Sequence, residues 1–141
     1  MIKIKRICVV IGSRANYSSI KSLLIELKKD NFFQLQIVTG FSALIEKYGK
    51  VSDLIKKDGF KIDGYVHAHL DGDHNTMMAK TTGLGIIELS SVFEKLKPDL
   101  VFTIGDRFET LATATSAAYM NIPLAHTQGC LLYTSPSPRD Q

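Results

Sequence analysis

Three short stretches hold the residues able to do chemistry, and each directly follows an apolar run. The first is Gly12-Ser13-Arg14-Ala15-Asn16-Tyr17. A glycine permits a sharp turn. An arginine at the start of a helix adds its guanidinium to the free backbone N–H groups and the positive end of the helix dipole, which together suit a phosphate or carboxylate. The stretch is not GxGxxG, so it disfavours a dinucleotide cofactor. The same residues also fit a plain helix start, with Ser13 or Asn16 as cap and Arg14 as a surface charge. The second stretch is Gly105-Asp106-Arg107-Phe108-Glu109. Asp106 at a strand end is placed to act as a general base or acid, with Arg107 and Glu109 holding its surroundings. The spacing Asp-x-x-Glu equally fits a capping box, in which Asp106 caps and Glu109 reaches back. The third is His126-Thr127-Gln128-Gly129. His126 there can position or protonate a substrate, or serve only as a hydrogen-bonding group of the fold.

A fourth stretch, His67-Ala68-His69-Leu70-Asp71-Gly72-Asp73-His74, is rich in metal-ligand types. It resembles the HxHxDH motif of metallo-β-lactamase-like hydrolases, but Gly72 separates Asp71 from Asp73 and His74. Zinc needs converging ligands, and a one-residue insertion changes which side chains face one another. No later His or Cys cluster completes a second site. The expectation is a polar loop without a metal.

The elements that position these stretches alternate strand and helix. Residues 3–11 form a β-branched run ending at Gly12, as a buried parallel strand should. Residues 16–29 place Ile20, Leu23, Leu24 and Leu27 on one helical face. Residues 33–39 read as a strand ending at Gly40, and 42–57 as a helix with Leu44, Tyr48, Val51 and Ile55 on one side, weakened by Gly49. Residues 61–67 read as a third strand. A long helical region over 73–96 carries an expected irregularity at Gly83 and Gly85. Its second part has Ile86, Leu89, Phe93 and Leu96 on one stripe, and Pro98 stops it. Residues 100–104 form a buried strand ending at Gly105. Residues 107–120 are a helix with Phe108, Leu111, Thr115 and Tyr119 along one side, and 123–126 a last short strand. Repeated βα units imply a three-layer Rossmann-like α/β fold, a parallel sheet with helices on both faces. Ligands in such sheets bind at the carboxyl ends of the strands, which is where the three stretches lie.

Composition agrees with one globular domain. Hydrophobic residues make up 45% and charged residues 22%, enough apolar material for a core. The net charge of +3 is too small and scattered to point to nucleic acid. Cys8 lies in the apolar run and Cys130 near the end, with no spacing that implies a disulfide framework. No segment approaches the about 18 apolar residues of a membrane span, and no signal peptide is evident, so a cytoplasmic protein is expected. After Gly129 the pattern breaks. CLLYTSPSPRDQ has no period, and Pro136 and Pro138 forbid the helix due there. Residues 1–129 read as the domain. Residues 130–141 read as a non-native or disordered tail resembling translated adapter or vector sequence.

Taken together, GSRANYSSIKSLL (12–24), MAKTTGLGIIEL (78–89) and GDRFETLATATSAAYMNIPLAHTQG (105–129) resemble the hydrolysing UDP-N-acetylglucosamine 2-epimerases. The resemblance covers about residues 4–129. Ala15-Asn16-Tyr17 looks more like the GTRADY form of the hydrolysing branch than the GTRPE of the non-hydrolysing one. The resemblance implies the N-terminal half of a glycosyltransferase-B-type fold, with the active site in a cleft between two Rossmann-like domains. It implies a reaction on a UDP-amino sugar that needs neither metal nor nicotinamide cofactor, and a parent protein that is a homo-oligomer. Asp106, His126 and Gln128 would be catalytic. Gly12, Arg14, Ser42, Arg107 and Glu109 would bind substrate, with Arg14 facing the diphosphate. There are departures. A histidine that some members carry in a TG-x-H pattern is here Ser42, and Gln128 stands where some relatives have Glu, although an amide cannot exchange a proton at neutral pH. The second domain is not in this sequence, so the 141-residue polypeptide by itself is expected to be inactive.

Overall fold

The computed structural model describes residues 3–45, 50–70 and 74–127. Five parallel strands form one sheet: β1 (Lys5–Ile11), β2 (Phe33–Gly40), β3 (Gly64–Val66), β4 (Leu100–Ile104) and β5 (Leu124–Thr127), in the order β3-β2-β1-β4-β5. The central strand β1 is buried from Ile7 onward, and this is why its sequence is continuously apolar rather than alternating. Its alternate residues serve opposite layers. Ile7, Val9 and Ile11 join Tyr17, Ile20, Leu24, Leu27, Val51 and Ile55 on one face. Cys8 and Val10 join Phe41, Leu89, Phe93, Ala112 and Ala117 on the other. The first layer is α1 (Arg14–Lys29) and α2 (Val51–Lys57), and the second is α3 (Asn75–Leu96) and α4 (Phe108–Tyr119). Burial pushes the Cys8 thiol up, which leaves it an inert core residue. None of the described helices is long and apolar enough to cross a membrane.

Four local expectations are corrected. The helix expected over 42–57 is instead a 3-10 turn at Phe41–Leu44 and the short α2. Phe41 takes φ 55 and turns its ring into the second layer, edge-on to Phe108 at 5.7 Å, while Ala43 joins the first layer. A continuous helix cannot serve both faces so soon after a strand. The strand expected over 61–67 contracts to three residues. No irregularity interrupts α3 at its glycines. Gly85 is a packing position, since a Cβ there would lie 2.7 Å from the Phe41 ring and 3.2 Å from the Ala112 methyl. Finally, α4 does not bury Leu111 and Tyr119, which are 60% and 87% exposed. It buries Ala112, Thr113, Ser116 and Ala117, small residues that allow close approach to α3. The Ser116 hydroxyl bridges the two helices, lying 3.3 Å from the Ile86 carbonyl and 2.9 Å from that of Ala112.

Candidate active site

β1 and β4 are paired neighbours whose chains leave in different directions, into α1 on one face and α4 on the other. Such a crevice between carboxyl ends is where open α/β sheets hold ligands.

The loop after β1 is tied down throughout. The Ser13 hydroxyl caps α1 by accepting from the Asn16 N–H at 3.2 Å, and Asn16 Oδ1 accepts from the Gly12 N–H at 3.1 Å. The pair departs from a capping box, because Asn16 reaches back to the residue before the cap, but it likewise satisfies two donors at the loop. The Ser42 hydroxyl donates to the Gly12 carbonyl at 2.9 Å, and Thr39 Oγ1 donates to the Ile11 carbonyl at 3.1 Å, so the end of β2 braces the end of β1. Arg14 is the first residue of α1 and is exposed. It lines a cleft of about 390 Å3 with Ser13, Ser42, Arg107, Phe108 and Thr81 among others. Tyr17 plays no part there. Its hydroxyl donates to Asp58 at the end of α2, and Lys21 pairs with the same carboxylate at 3.0 Å. Burial and the Asp58 charge push the Tyr17 phenol up.

The loop after β4 is arranged differently. Gly105 takes φ +91, a conformation that suits glycine. The Gly105 carbonyl accepts from the Nε2 of His126, and its N–H donates to Thr127 at 2.9 Å. Thr110 Oγ1 donates to the Ile104 carbonyl at 2.9 Å. The capping role considered for Asp106 is not observed. α4 begins at Phe108, its cap is Arg107, and no side chain caps it. Asp106 is exposed and makes no side-chain hydrogen bond among the described residues. Glu109 is instead buried, 4% exposed, against Gly12, where an added Cβ would stand 2.6 Å from Glu109 Cγ. Burial holds its carboxyl above the usual range. A hydrogen bond from its own backbone N–H and the Arg107 charge oppose that shift, and the Asp106 charge adds to it.

Asp106 and Glu109 line a hollow of about 170 Å3 with Ser13, Ala15, Asn16 and Arg107. Ser13, Ala15 and Arg107 also line the Arg14 cleft, so the two spaces adjoin. On its other side Asp106 shares a third depression with His126 and Thr110. Arg14, Ser42, Arg107, Asp106, Glu109, Gly12 and His126 are thus gathered at one strand-tip region. Gln128 lies outside the described residues. His69, which the sequence offers only as a candidate metal ligand, stands on the Arg14 cleft with Met78 and Thr81. The signal for it was topological: it follows β3, whose tip is at the same edge of the sheet. Among the described residues no three His, Cys, Asp or Glu side chains come together as a metal site, and Asp71 and Asp73 fall outside them.

A family profile described as UDP-N-acetylglucosamine 2-epimerase matches residues 25–132. The chain is 35% identical over 126 residues to the UDP-N,N'-diacetylbacillosamine 2-epimerase (hydrolyzing) of Legionella pneumophila, which covers 89% of this chain and 33% of that protein. It is 34% identical to the GDP/UDP-N,N'-diacetylbacillosamine 2-epimerase (hydrolyzing) of Campylobacter jejuni, over 89% of this chain and 32% of that one. The crystal structure of a UDP-GlcNAc 2-epimerase from Neisseria meningitidis bound to UDP-GlcNAc superposes with TM-score 0.73 at 22% identity, over 86% of this chain and 31% of that chain. The chain spans about a third of the length of the curated relatives it matches.

Proposed function

Because the chain belongs to the UDP-N-acetylglucosamine 2-epimerase family, we propose that it supplies the N-terminal, Rossmann-like half of a hydrolysing epimerase acting on a UDP-amino sugar. The observation that carries this reading is the adjacency of two cationic side chains, Arg14 and Arg107, on one cleft and a carboxylate without a hydrogen bond among the described residues, Asp106, in the hollow beside it. The cleft suits a diphosphate and the hollow suits the reacting carbons of the sugar. The names of the two most similar relatives cited above support hydrolysis, and favour a diacetamido sugar over UDP-N-acetylglucosamine itself.

In this reaction the C2 hydrogen leaves as a proton to Asp106, and the electron pair forms a C1–C2 double bond as the C1–O bond breaks and UDP departs. Arg14 sits at the positive end of α1 and, with Arg107, stabilises the charge gathering on the diphosphate oxygens. Water then adds its oxygen to C1, and a proton returns to C2 from the opposite face. The products are UDP and the free 2-epimeric amino sugar. His126 holds the peptide before Asp106 through the Gly105 carbonyl, and so sets the direction of the carboxylate. A second α/β domain completes the nucleotide site in the full-length protein.

The test is Asp106→Asn in the full-length protein. Loss of general base catalysis should lower kcat about 100- to 10,000-fold while UDP affinity stays near that of the parent. Turnover that survives the substitution would remove Asp106 from the reaction.

A further inference from the structure

Glu109 is a buried carboxyl for which the reaction above has no use. It lies in the first turn of α4, 4% exposed, on the same hollow as Asp106. The chain makes room for it: Gly12, on the neighbouring strand tip, lacks the Cβ that would collide with Glu109 Cγ and crowd its Cδ at 3.4 Å. Two carboxyl groups on one small hollow repel when both are ionised. Their surroundings differ, since Asp106 is exposed and Glu109 is enclosed. Burial disfavours the charged form of the enclosed one.

We propose that Glu109 is a positioning residue for Asp106, a buried carboxylic acid that keeps its proton while Asp106 bears the hollow's single negative charge. The idea rests on the epimerase reading for its catalytic consequence, but the pairing itself does not. Among the described residues the charged groups around Glu109 are few. Asp106 and Arg107 belong to its own turn. The α1 side presents Ser13, Ala15 and Asn16, which do not titrate, and Arg14 stands in the adjoining cleft. From β5, His126 stands beyond Asp106 with Nε2 committed to the Gly105 carbonyl. Burial outweighs the hydrogen bond from its own backbone N–H and the Arg107 charge, both of which favour the ionised form. When Glu109 does ionise at higher pH, its charge repels Asp106 and the departing diphosphate, and the rate falls.

Two measurements on the full-length protein decide the matter. In the first, Glu-selective 13C labelling follows the Glu109 carboxyl carbon through a pH titration of the parent and of Asp106→Asn. Its midpoint should lie above the ordinary carboxylate range in the parent and fall when the neighbouring charge is removed. A midpoint within the ordinary range, or one indifferent to Asp106→Asn, overturns the pairing whether or not the protein turns over a UDP-sugar. In the second, kcat/KM of Glu109→Gln is followed against pH, scaled to its own maximum. The permanently neutral amide should move the alkaline limb up by about one pH unit or more, and Glu109→Asp should keep a limb. An unmoved limb means that Glu109 only packs. A loss beyond about 100-fold at the maximum would make it a proton-transferring group. Either result ends the positioning role. Absence of turnover in the parent would instead overturn the proposed function and leave the carbon titration to judge the pair.

Discussion

The tips of β1 and β4 stand side by side and share a plan of glycine, polar residue and arginine, yet they are built to opposite ends. At the β1 tip the polar side chains have local partners: Ser13 accepts from the Asn16 N–H, Asn16 accepts from the Gly12 N–H, and Ser42 and Thr39 brace the carbonyls of Gly12 and Ile11. At the β4 tip α4 starts without a side-chain cap, Asp106 is left to solvent, and a carboxyl is buried beneath. A saturated loop holds a fixed charge in place, which is what binding a phosphate needs. An unsaturated loop keeps a reactive group available at some cost in stability. On the proposed reading the first tip binds the diphosphate and the second transfers the proton.

Substitutions can break that contrast. The largest effect belongs to the β4 tip, the loss of turnover in Asp106→Asn. At the β1 tip, Arg14→Ala should weaken UDP binding to the full-length protein by about 1.5–3 kcal/mol, the usual worth of hydrogen bonds to charged groups. That is roughly 10- to 150-fold in Kd by calorimetry, with a protein that still melts like the parent. An Arg14→Ala protein that binds UDP as before would place the diphosphate elsewhere. Gly12→Ala joins the two tips, because the new methyl meets Glu109 at 2.6 Å. It should cost about 1–3 kcal/mol in a denaturant titration, and Glu109→Ala in the same chain should recover part of that. Ser13→Ala removes only the α1 cap and should cost about 1 kcal/mol.

The smallest effect is one of pH. Glu109 binds its proton more tightly when folded than unfolded, so its stabilising contribution is complete below the ordinary carboxylate range. That contribution is lost as pH rises through the folded value. Melting temperature should therefore fall with rising pH more steeply in the parent than in Glu109→Gln. Equal slopes would mean that burial does not perturb this carboxyl.

Much of this was legible in the residues. The strand ends at Gly12, Gly40 and Gly105 follow from apolar runs stopped by glycine, and the α1 stripe of Ile20, Leu24 and Leu27 is buried as its spacing requires. What escaped depends on contacts across the sheet. The large residues Leu111 and Tyr119 mark the wrong face of α4, because close packing on α3 selects small side chains there. Asp106-x-x-Glu109 has capping-box spacing, yet the space left by Gly12 draws Glu109 inward, and no local pattern reports a vacancy on a neighbouring strand. The role of Asn16, bonded back to Gly12, was visible only as one of two possible caps.

The most direct test is a crystal structure of the full-length Asp106→Asn protein with its UDP-amino sugar bound. Diphosphate oxygens within hydrogen-bonding distance of Arg14, and the sugar C2 facing residue 106, are the arrangement expected. A nucleotide bound with Arg14 turned to solvent, or a sugar ring remote from the β4 tip, would contradict it.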